Sequence, residues 1–268
     1  MTLVMGVLNV TPDSFSDGGR WLDPDAAVAH GLTLFAEGAD VVDVGGESTR
    51  PGATPVPEDE ELRRVVPVVN ALAARGRGSI DTPKPAVAEA AGAAGATIVN
   101  DVSASPALAG VAAAAGVGYV AMHMQGTPQT MQEHPHYDDV VREVTEFLVR
   151  RAEAARGDGV REVWIDPGIG FGKTAAHNLS LLHHLGVLVR TGWPVLVGAS
   201  RKRFVQVLTG AAGPDDALEG SLAAAVVAAA SGAGMVRVHD VAATVQAMRI
   251  VGQAGGNGGN GAIVGEQA

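Results

Sequence analysis

The chain has 268 residues, of which 47% are hydrophobic and only 4% aromatic, and a formal net charge of -10 at pH 7. This negative charge disfavours polyanionic partners, so we expect binding of neither nucleic acid nor an anionic membrane. The chain has no Cys, which excludes disulfides, thiolate nucleophiles and Cys-ligated metal centres.

Short apolar runs alternate with longer Ala-rich runs along the chain. The pattern predicts strands at 3–9, 40–45, 78–82, 97–102, 118–123, 162–166, 194–199 and 235–240. It predicts helices between them at 24–37, 58–75, 85–94, 106–115, 137–157, 175–190, 201–209 with 215–232, and 242–253. Strands such as "VMGVLNV" show little polar alternation, which is typical of a parallel sheet covered on both faces.

Eight strand–helix units predict an α/β fold, a single-domain (β/α)8 TIM barrel over residues 1–253. An open, doubly wound parallel sheet is the alternative. Residues 254–268 are Gly-rich and have no packing pattern, so we expect a flexible tail. We also expect a cytoplasmic protein, because no leader pattern precedes the fold and no apolar stretch reaches about 18 residues.

Polar side chains follow every predicted strand. They are Asn9, Asp43 with Glu47, Asp81, Asn100, His123, Asp166, Ser200 with Lys202, and Arg237 with His239. Any one of them could be an ordinary cap or turn residue. In a βα barrel, however, all these positions converge on the rim where barrel enzymes carry their active sites. The series therefore predicts an active site at this rim.

Three long segments follow strands one, two and five. They read "NVTPDSFSDGG", "GGESTRPGATPVP" and "MQGTPQTMQEHPHY". Most βα loops have only about 2–6 residues, and longer ones are usually functional or disordered. These segments contain Phe15, Met131 and Tyr137, unlike a solvated linker. We expect them to cover the site and to move during turnover.

Two other patterns are weaker than they look. The segment "PGIGFGKT" is similar to a phosphate-binding loop, but that loop needs a Gly five residues before Gly172, where the chain has Pro167. The histidine pairs at 134/136 and 183/184 lack the i,i+4 spacing and the flanking carboxylates of a metal site. We predict neither a nucleoside triphosphate site nor a histidine metal centre.

Eight blocks, in order, carry a resemblance to a known family. They are "MGVLNVTPDSFSDGG", "DVGGESTRPGA", "SIDT", "VNDVS", "MHMQGTPQTMQ", "IDPGIGFGKT", "VGASRKRF" and "VRVHDV". Over about residues 3–253 the chain resembles the dihydropteroate synthases of bacterial folate biosynthesis. The resemblance implies condensation of 6-hydroxymethyl-7,8-dihydropterin pyrophosphate with para-aminobenzoate, giving 7,8-dihydropteroate and pyrophosphate. It also implies Mg2+ as cofactor and a homodimer formed by outer helices.

The resemblance assigns roles to individual residues. Pterin would be bound by Asp81, Asn100, Met122, Asp166, Phe171 and Lys202. Pyrophosphate would be bound by Asn9, Thr49, Arg50, Arg237 and His239, with Asn9 also touching the metal. Para-aminobenzoate would be bound by Phe15, Pro51, Phe171 and Arg203. The catalytic residues would be Asp17, Asp81 and Lys202.

Three departures from the family pattern leave alternatives open. Pro83 stands where Met or Tyr is usual, "NDVSASPAL" lacks a Gly-rich turn, and Arg203 stands where many relatives have Ser. A relative that binds pterin without condensing it is one alternative, and a methyltetrahydrofolate methyltransferase on the same barrel is another. A structural barrel without a ligand is the third, although it would bury Asp81, Asp166 and Lys202 at considerable cost.

Overall fold

A computed structural model of the chain describes residues 1–11, 24–48 and 52–254. The strands are β1 (Leu3–Asn9), β2 (Val41–Gly45), β3 (Arg77–Asp81), β4 (Ile98–Asp101), β5 (Gly118–Met122), β6 (Val163–Asp166), β7 (Leu196–Val197) and β8 (Met235–Val238). The helices are α1 (Pro24–Ala36), α2 (Glu58–Leu72), α3 (Pro85–Ala93), α4 (Pro106–Ala115), α5 (Val140–Gly157), α6 (Ala175–His183), α7 (Leu185–Val189), α8 (Arg203–Thr209), α9 (Leu218–Ala230) and α10 (Val241–Ala254). A 3-10 turn, Pro214–Asp216, precedes α9.

The eight strands form one parallel sheet that closes on itself. Their order is β6-β5-β4-β3-β2-β1-β8-β7. Ile165 of β6 forms a parallel bridge with Val195, and its N–H donates to the Pro194 carbonyl at 2.9 Å. This bridge joins the two ends of the sheet. The predicted (β/α)8 barrel is confirmed, and the open-sheet alternative is wrong.

A layer of apolar side chains fills the barrel interior. It comprises Met5, Val41, Ile98, Val120, Trp164, Leu196 and Met235, drawn from seven of the strands. Successive side chains of a strand point to opposite faces, so the residue two places further on also faces inward. Those positions on β2, β4, β5, β6 and β8 are Asp43, Asn100, Met122, Asp166 and Arg237. The strand pleat therefore places a mainly polar layer directly above an apolar one.

The main hydrophobic core lies between the outer faces of the strands and the helices. The helices begin where the sequence signals a start. Pro85 and Pro106 occupy first-turn positions of α3 and α4, and Thr174 caps α6 by accepting from the His177 N–H at 3.2 Å. No helix in the described part of the chain has the length and apolarity that a membrane crossing needs.

Most predicted bounds lie within three residues of the observed ones, and two elements differ in a more basic way. Strand seven was expected over 194–199, but β7 is only Leu196–Val197; Pro194 has no N–H to donate to a ladder, which helps to explain the short start. The helix expected over 175–190 breaks at His184. The His184 N–H and imidazole Nδ1 both lie 2.9 Å from the Ser180 carbonyl oxygen, so the side chain shares the acceptor of the last helical hydrogen bond.

Candidate active site

Arg237 links two carboxylates on the inner wall of the barrel. Its Nε donates to Oδ2 of Asp43 at 2.6 Å, and its terminal nitrogen donates to Oδ2 of Asp81 at 2.8 Å. The Asn100 side-chain amide also donates to Asp43 Oδ2, at 2.9 Å. Asp81 and Asn100 are register partners on β3 and β4, so the pairing of the strands places them side by side.

Burial and neighbouring charges shift the pKa values of Asp81 and Arg237. Burial raises the pKa of Asp81, against the lowering effect of Arg237, and the nearby carboxylates of Asp43, Glu61 and Asp101 raise it further. Burial acts to lower the pKa of Arg237, but Asp43 and Asp81 outweigh it and the pKa is raised. One oxygen each of Asp43 and Asp81, Oδ1, is buried without a hydrogen-bond partner among the described residues. These oxygens can accept donors from a ligand.

The loop after β6 surrounds Lys202. The Lys202 Nζ donates to the Ile169 carbonyl oxygen and lies 4.4 Å from the centroid of the Phe171 ring. Burial lowers the pKa of Lys202 to about 8, although Asp166 acts in the opposite direction. Asp166 Oδ1 accepts from the Gly168 N–H at 2.7 Å. A carboxylate, an ammonium and an aromatic face thus adjoin one loop.

Lys173 lies on the other side of the same loop and is 3% exposed. Its Nζ lies 3.0 Å from His123 Nδ1 and donates to the carbonyl oxygens of His123 at 3.2 Å and Phe171 at 2.9 Å. Burial lowers the pKa of Lys173 to about 7, and it lowers that of His123 to about 3, with Lys173 acting in the same direction. Lys173 is therefore a buried amine rather than a residue of a phosphate loop.

Gly45 and Gly198 lie beside polar side chains at the mouth of the barrel. A Cβ on Gly45 would lie 3.5 Å from Asn9 Oδ1 and 3.7 Å from Asp81 Cβ. A Cβ on Gly198 would lie 3.6 Å from Arg237 Cβ and 3.9 Å from Lys202 Nζ. Asn9 and Lys202 therefore both border the Arg237–Asp81 pair.

The remaining predicted residues are distributed as follows. His239 receives support from Ser200, whose Oγ lies 3.1 Å from Nδ1 and accepts from the His239 N–H at 3.2 Å. Met122 is 3% exposed and ends β5. Arg203 is exposed at the first residue of α8. Five predicted residues lie outside the described residues: Phe15, Asp17, Thr49, Arg50 and Pro51.

Sequence reasoning missed several buried polar residues. Asp43 was assigned no binding role, although it stands two residues after the interior Val41 and the pleat could have identified it. Lys84 was also missed. Its Nζ contacts Glu47 Oε2 at 2.5 Å and also donates to the fully buried Glu61. Glu47 Oε2 in turn accepts from the Val56 N–H at 2.8 Å, so Lys84 supports both ends of the segment after β2.

In the part of the chain that the structure describes, no cluster of three His, Asp or Glu side chains could hold a metal ion. Mg2+ commonly takes one or two protein oxygens and completes its shell with water and substrate phosphates. The Asn9 amide oxygen at the end of β1 is a donor of that kind. Asn9 therefore fits a Mg2+ site that water and a bound diphosphate would complete.

The chain belongs to the pterin binding enzyme family, whose model matches residues 5–239. It is 53% identical over 261 residues to dihydropteroate synthase of Mycobacterium leprae, covering 93% of this chain and 92% of that protein. The structure of Xanthomonas albilineans dihydropteroate synthase with 4-aminobenzoic acid is 52% identical, with a TM-score of 0.88 and coverage of 94% and 93%. The X. albilineans enzyme with 7,8-dihydropteroate is 49% identical in its alignment, with a TM-score of 0.85 and the same coverage.

Proposed function

We propose that the chain condenses 6-hydroxymethyl-7,8-dihydropterin pyrophosphate with para-aminobenzoate to give 7,8-dihydropteroate and pyrophosphate. The observation that carries this proposal is the layer of Asp81, Asn100, Asp166 and Lys202 around the barrel mouth, in a chain that shares about half its residues with dihydropteroate synthases. Structures of the X. albilineans enzyme with 4-aminobenzoic acid and in complex with 7,8-dihydropteroate support the same reaction.

The pterin would bind in the slot between Asp81 and the loop after β6. A pterin edge presents adjacent ring N–H and amino donors, which one carboxylate accepts as a pair. Asp166 and Asp81 supply such acceptors, Asn100 supplies an amide, and Lys202 supplies a donor for the pterin's acceptors. Met122 and Phe171 would pack on the ring faces.

The diphosphate would lie nearer the rim, on Asn9, Arg237 and His239, with Thr49 and Arg50 from the second loop. A guanidinium can grip a phosphate with two parallel N–H bonds. Arg237 uses two of its five N–H donors on Asp43 and Asp81, so its other N–H groups can bind the phosphate. When bound at Asn9, Mg2+ supplies positive charge that neutralises the diphosphate.

Bond breaking would precede bond making. The C–O bond to the diphosphate breaks, and the electron-rich dihydropterin stabilises positive charge on its exocyclic methylene. The negative carboxylates of Asp81 and Asp17 stabilise that positive charge electrostatically. The aniline nitrogen then attacks the methylene and loses a proton, so no strong general base is needed.

Para-aminobenzoate would contact Phe171, together with Phe15 and Pro51. Its carboxylate would meet the start of α8 at Lys202 and Arg203, where unpaired N–H groups favour an anion. Arg203 stands in place of the usual Ser, and its exposed guanidinium can contribute to this contact.

We also propose a homodimer formed by outer helices. Val207 and Leu208 on α8 are 64% and 50% exposed, and Val227 on α9 is 45% exposed. Apolar side chains grouped on neighbouring helices are typical of an interface. Val207→Glu should yield monomers in light scattering. A cytoplasmic location stays a prediction from the sequence, and cell fractionation would test it.

Product formation tests the proposed reaction directly. The purified protein is given dihydropterin pyrophosphate, para-aminobenzoate and Mg2+, and dihydropteroate and pyrophosphate are followed together. The wild type should form both products, and Asn9→Ala should lose most of the activity. Asp17→Ala should lower the rate far more than it weakens pterin binding. Pterin binding without product would instead identify the non-condensing relative.

A further inference from the structure

Lys173 is a buried amine to which the proposed reaction gives no role. Its three nearest hydrogen-bonding atoms are Nδ1 and the carbonyl oxygen of His123 and the carbonyl oxygen of Phe171, at 3.0, 3.2 and 2.9 Å. Its side chain forms no ion pair with a carboxylate of the described residues. The protonated amine has three donors and no acceptor, so these three acceptors match the capacity of the protonated form.

The three acceptors lie on two different loops. His123 follows Met122 at the end of β5, and Phe171 belongs to the loop after β6. Met122 and Phe171 are the two side chains proposed to pack on the pterin ring. Lys173 therefore joins the backbone segments that carry both faces of the proposed pterin slot.

These segments approach each other as closely as backbone allows. A Cβ on Gly168 would lie 1.9 Å from the His123 carbonyl oxygen, and a Cβ on Gly172 would lie 2.4 Å from the Gln125 carbonyl oxygen. The Tyr137 hydroxyl adds a bond to the Gly172 carbonyl oxygen at 2.9 Å. The two loops are thus in direct contact, and the hydrogen bonds of Lys173 and Tyr137 join them.

His123 adopts the state that this arrangement needs. Burial and the nearby Lys173 lower its pKa to about 3, so the imidazole is neutral near pH 7. Neutral imidazole offers one unprotonated nitrogen, and Nδ1 faces the Lys173 amine as an acceptor. The ring also stacks edge-on against Phe147 of α5, with centroids 5.0 Å apart, which fixes its orientation.

We propose that Lys173 is a positioning residue for the pterin slot: it bonds the end of β5 to the loop after β6 and so holds Met122 and Phe171 at the distance that a pterin ring requires. This inference rests on the proposed function. Lys173 acts through the two loops and does not touch the substrate. It is distinct from Lys202, which is proposed to bind pterin directly.

The test compares Lys173→Met with the wild type. The methionine side chain retains most of the lysine's length but removes all three hydrogen bonds. Titration with pterin-6-carboxylate should show a dissociation constant raised by about tenfold or more, equivalent to about 1.4 kcal/mol. The KM for dihydropterin pyrophosphate should rise in parallel, whereas the KM for para-aminobenzoate should change by less than about twofold.

Leu34→Ala is the control, because Leu34 is 1% exposed on α1, which packs on β1 and β2. It should lower the melting temperature and leave pterin affinity within about twofold of the wild type. A loss of affinity in Leu34→Ala equal to that in Lys173→Met would overturn the proposal. So would wild-type affinity in Lys173→Met.

His123→Leu covers the case in which Lys173→Met does not fold. It removes one of the three acceptors and leaves both carbonyl groups, so its pterin affinity should fall by a smaller but measurable factor of about three. No change in affinity would overturn the proposal. If the wild type itself does not bind pterin-6-carboxylate, the proposed function fails first, and the role of Lys173 fails with it.

Discussion

Arg237 on β8 and Asp43 on β2 form an ion pair inside the barrel, with Nε 2.6 Å from Oδ2. The two strands are separated by β1, so the pair spans a neighbouring strand. Asp43 is fully buried, and its other oxygen has no partner among the described residues. A carboxylate in this position depends on the guanidinium for most of its compensation.

Removal of the guanidinium should therefore be costly. Arg237→Met is expected to lower the free energy of unfolding by about 3 kcal/mol, because it removes the guanidinium that binds both Asp43 and Asp81. Urea denaturation measures this loss. Asp43→Asn added to Arg237→Met should recover part of it. The explanation would be contradicted if Arg237→Met were as stable as the wild type. It would also be contradicted if the double variant had a lower free energy of unfolding than Arg237→Met alone.

Lys84 should matter for stability in the same way. Its amine contacts Glu47 and the fully buried Glu61, and Glu61 Oε1 has no partner among the described residues. Lys84→Met is expected to cost about 3 kcal/mol. Arg63→Met on α2 is the control, because Arg63 is 70% exposed and surface pairs contribute less than about 1 kcal/mol. Equal losses in thermal unfolding would show that burial does not govern the Lys84 contacts.

Gly168 should tolerate no side chain. Its φ is +65°, and a Cβ would lie 1.9 Å from the His123 carbonyl oxygen. Gly116 has a similar φ of +69° with nothing within 4 Å, so Gly116→Ala isolates the backbone strain, about 1–2 kcal/mol. Gly168→Ala should lose more stability than this and should also lose pterin affinity. Similar losses of stability in the two variants would show that the loops separate easily.

The stability of the wild type should depend on pH through Lys173. Its pKa falls from 10.5 to about 7 on folding, so between these values the unfolded chain binds more protons than the folded one. The free energy of unfolding should therefore rise with pH, by up to about 1.4 kcal/mol per pH unit from this group. Lys202, lowered to about 8, acts in the same direction. The difference between wild type and Lys173→Met, measured in urea at pH 7 to 10, isolates the Lys173 part; a constant difference would refute it.

The barrel was predictable from the sequence because the signals that define its strands and helices are local. Apolar runs, N-terminal prolines and the cap at Thr174 each act within a few residues. The helix break at His184 has no counterpart in the hydrophobic periodicity, which continues through residues 175–190. The short β7 depends partly on Pro194, a local signal that is visible in the sequence.

The site was predictable in position but not in its internal bonds. Strand-end spacing identified Asp43, Asp81 and Asn100 as rim residues, yet it could not show that Arg237, 194 residues after Asp43, would bind it. Lys84 and Glu61 pair across 23 residues for the same reason. Lys173 has no signal in the sequence beyond its place in a segment that does not match a phosphate-binding loop. Its burial arises only when the loops after β5 and β6 pack together.

The pleat that lifts the polar layer above Met5, Val41 and Met235 also makes the active site sensitive to a shift of one residue. Deleting a single residue within β8 would turn Arg237 outward among the helices and bring a valine to the mouth of the barrel. An insertion in a helix does not reverse the faces of a strand, because the strand residues keep their positions. We therefore expect natural variation in length to accumulate on the outside of this barrel, while the strands between Met5 and Asn9 or Val41 and Gly45 keep a fixed count.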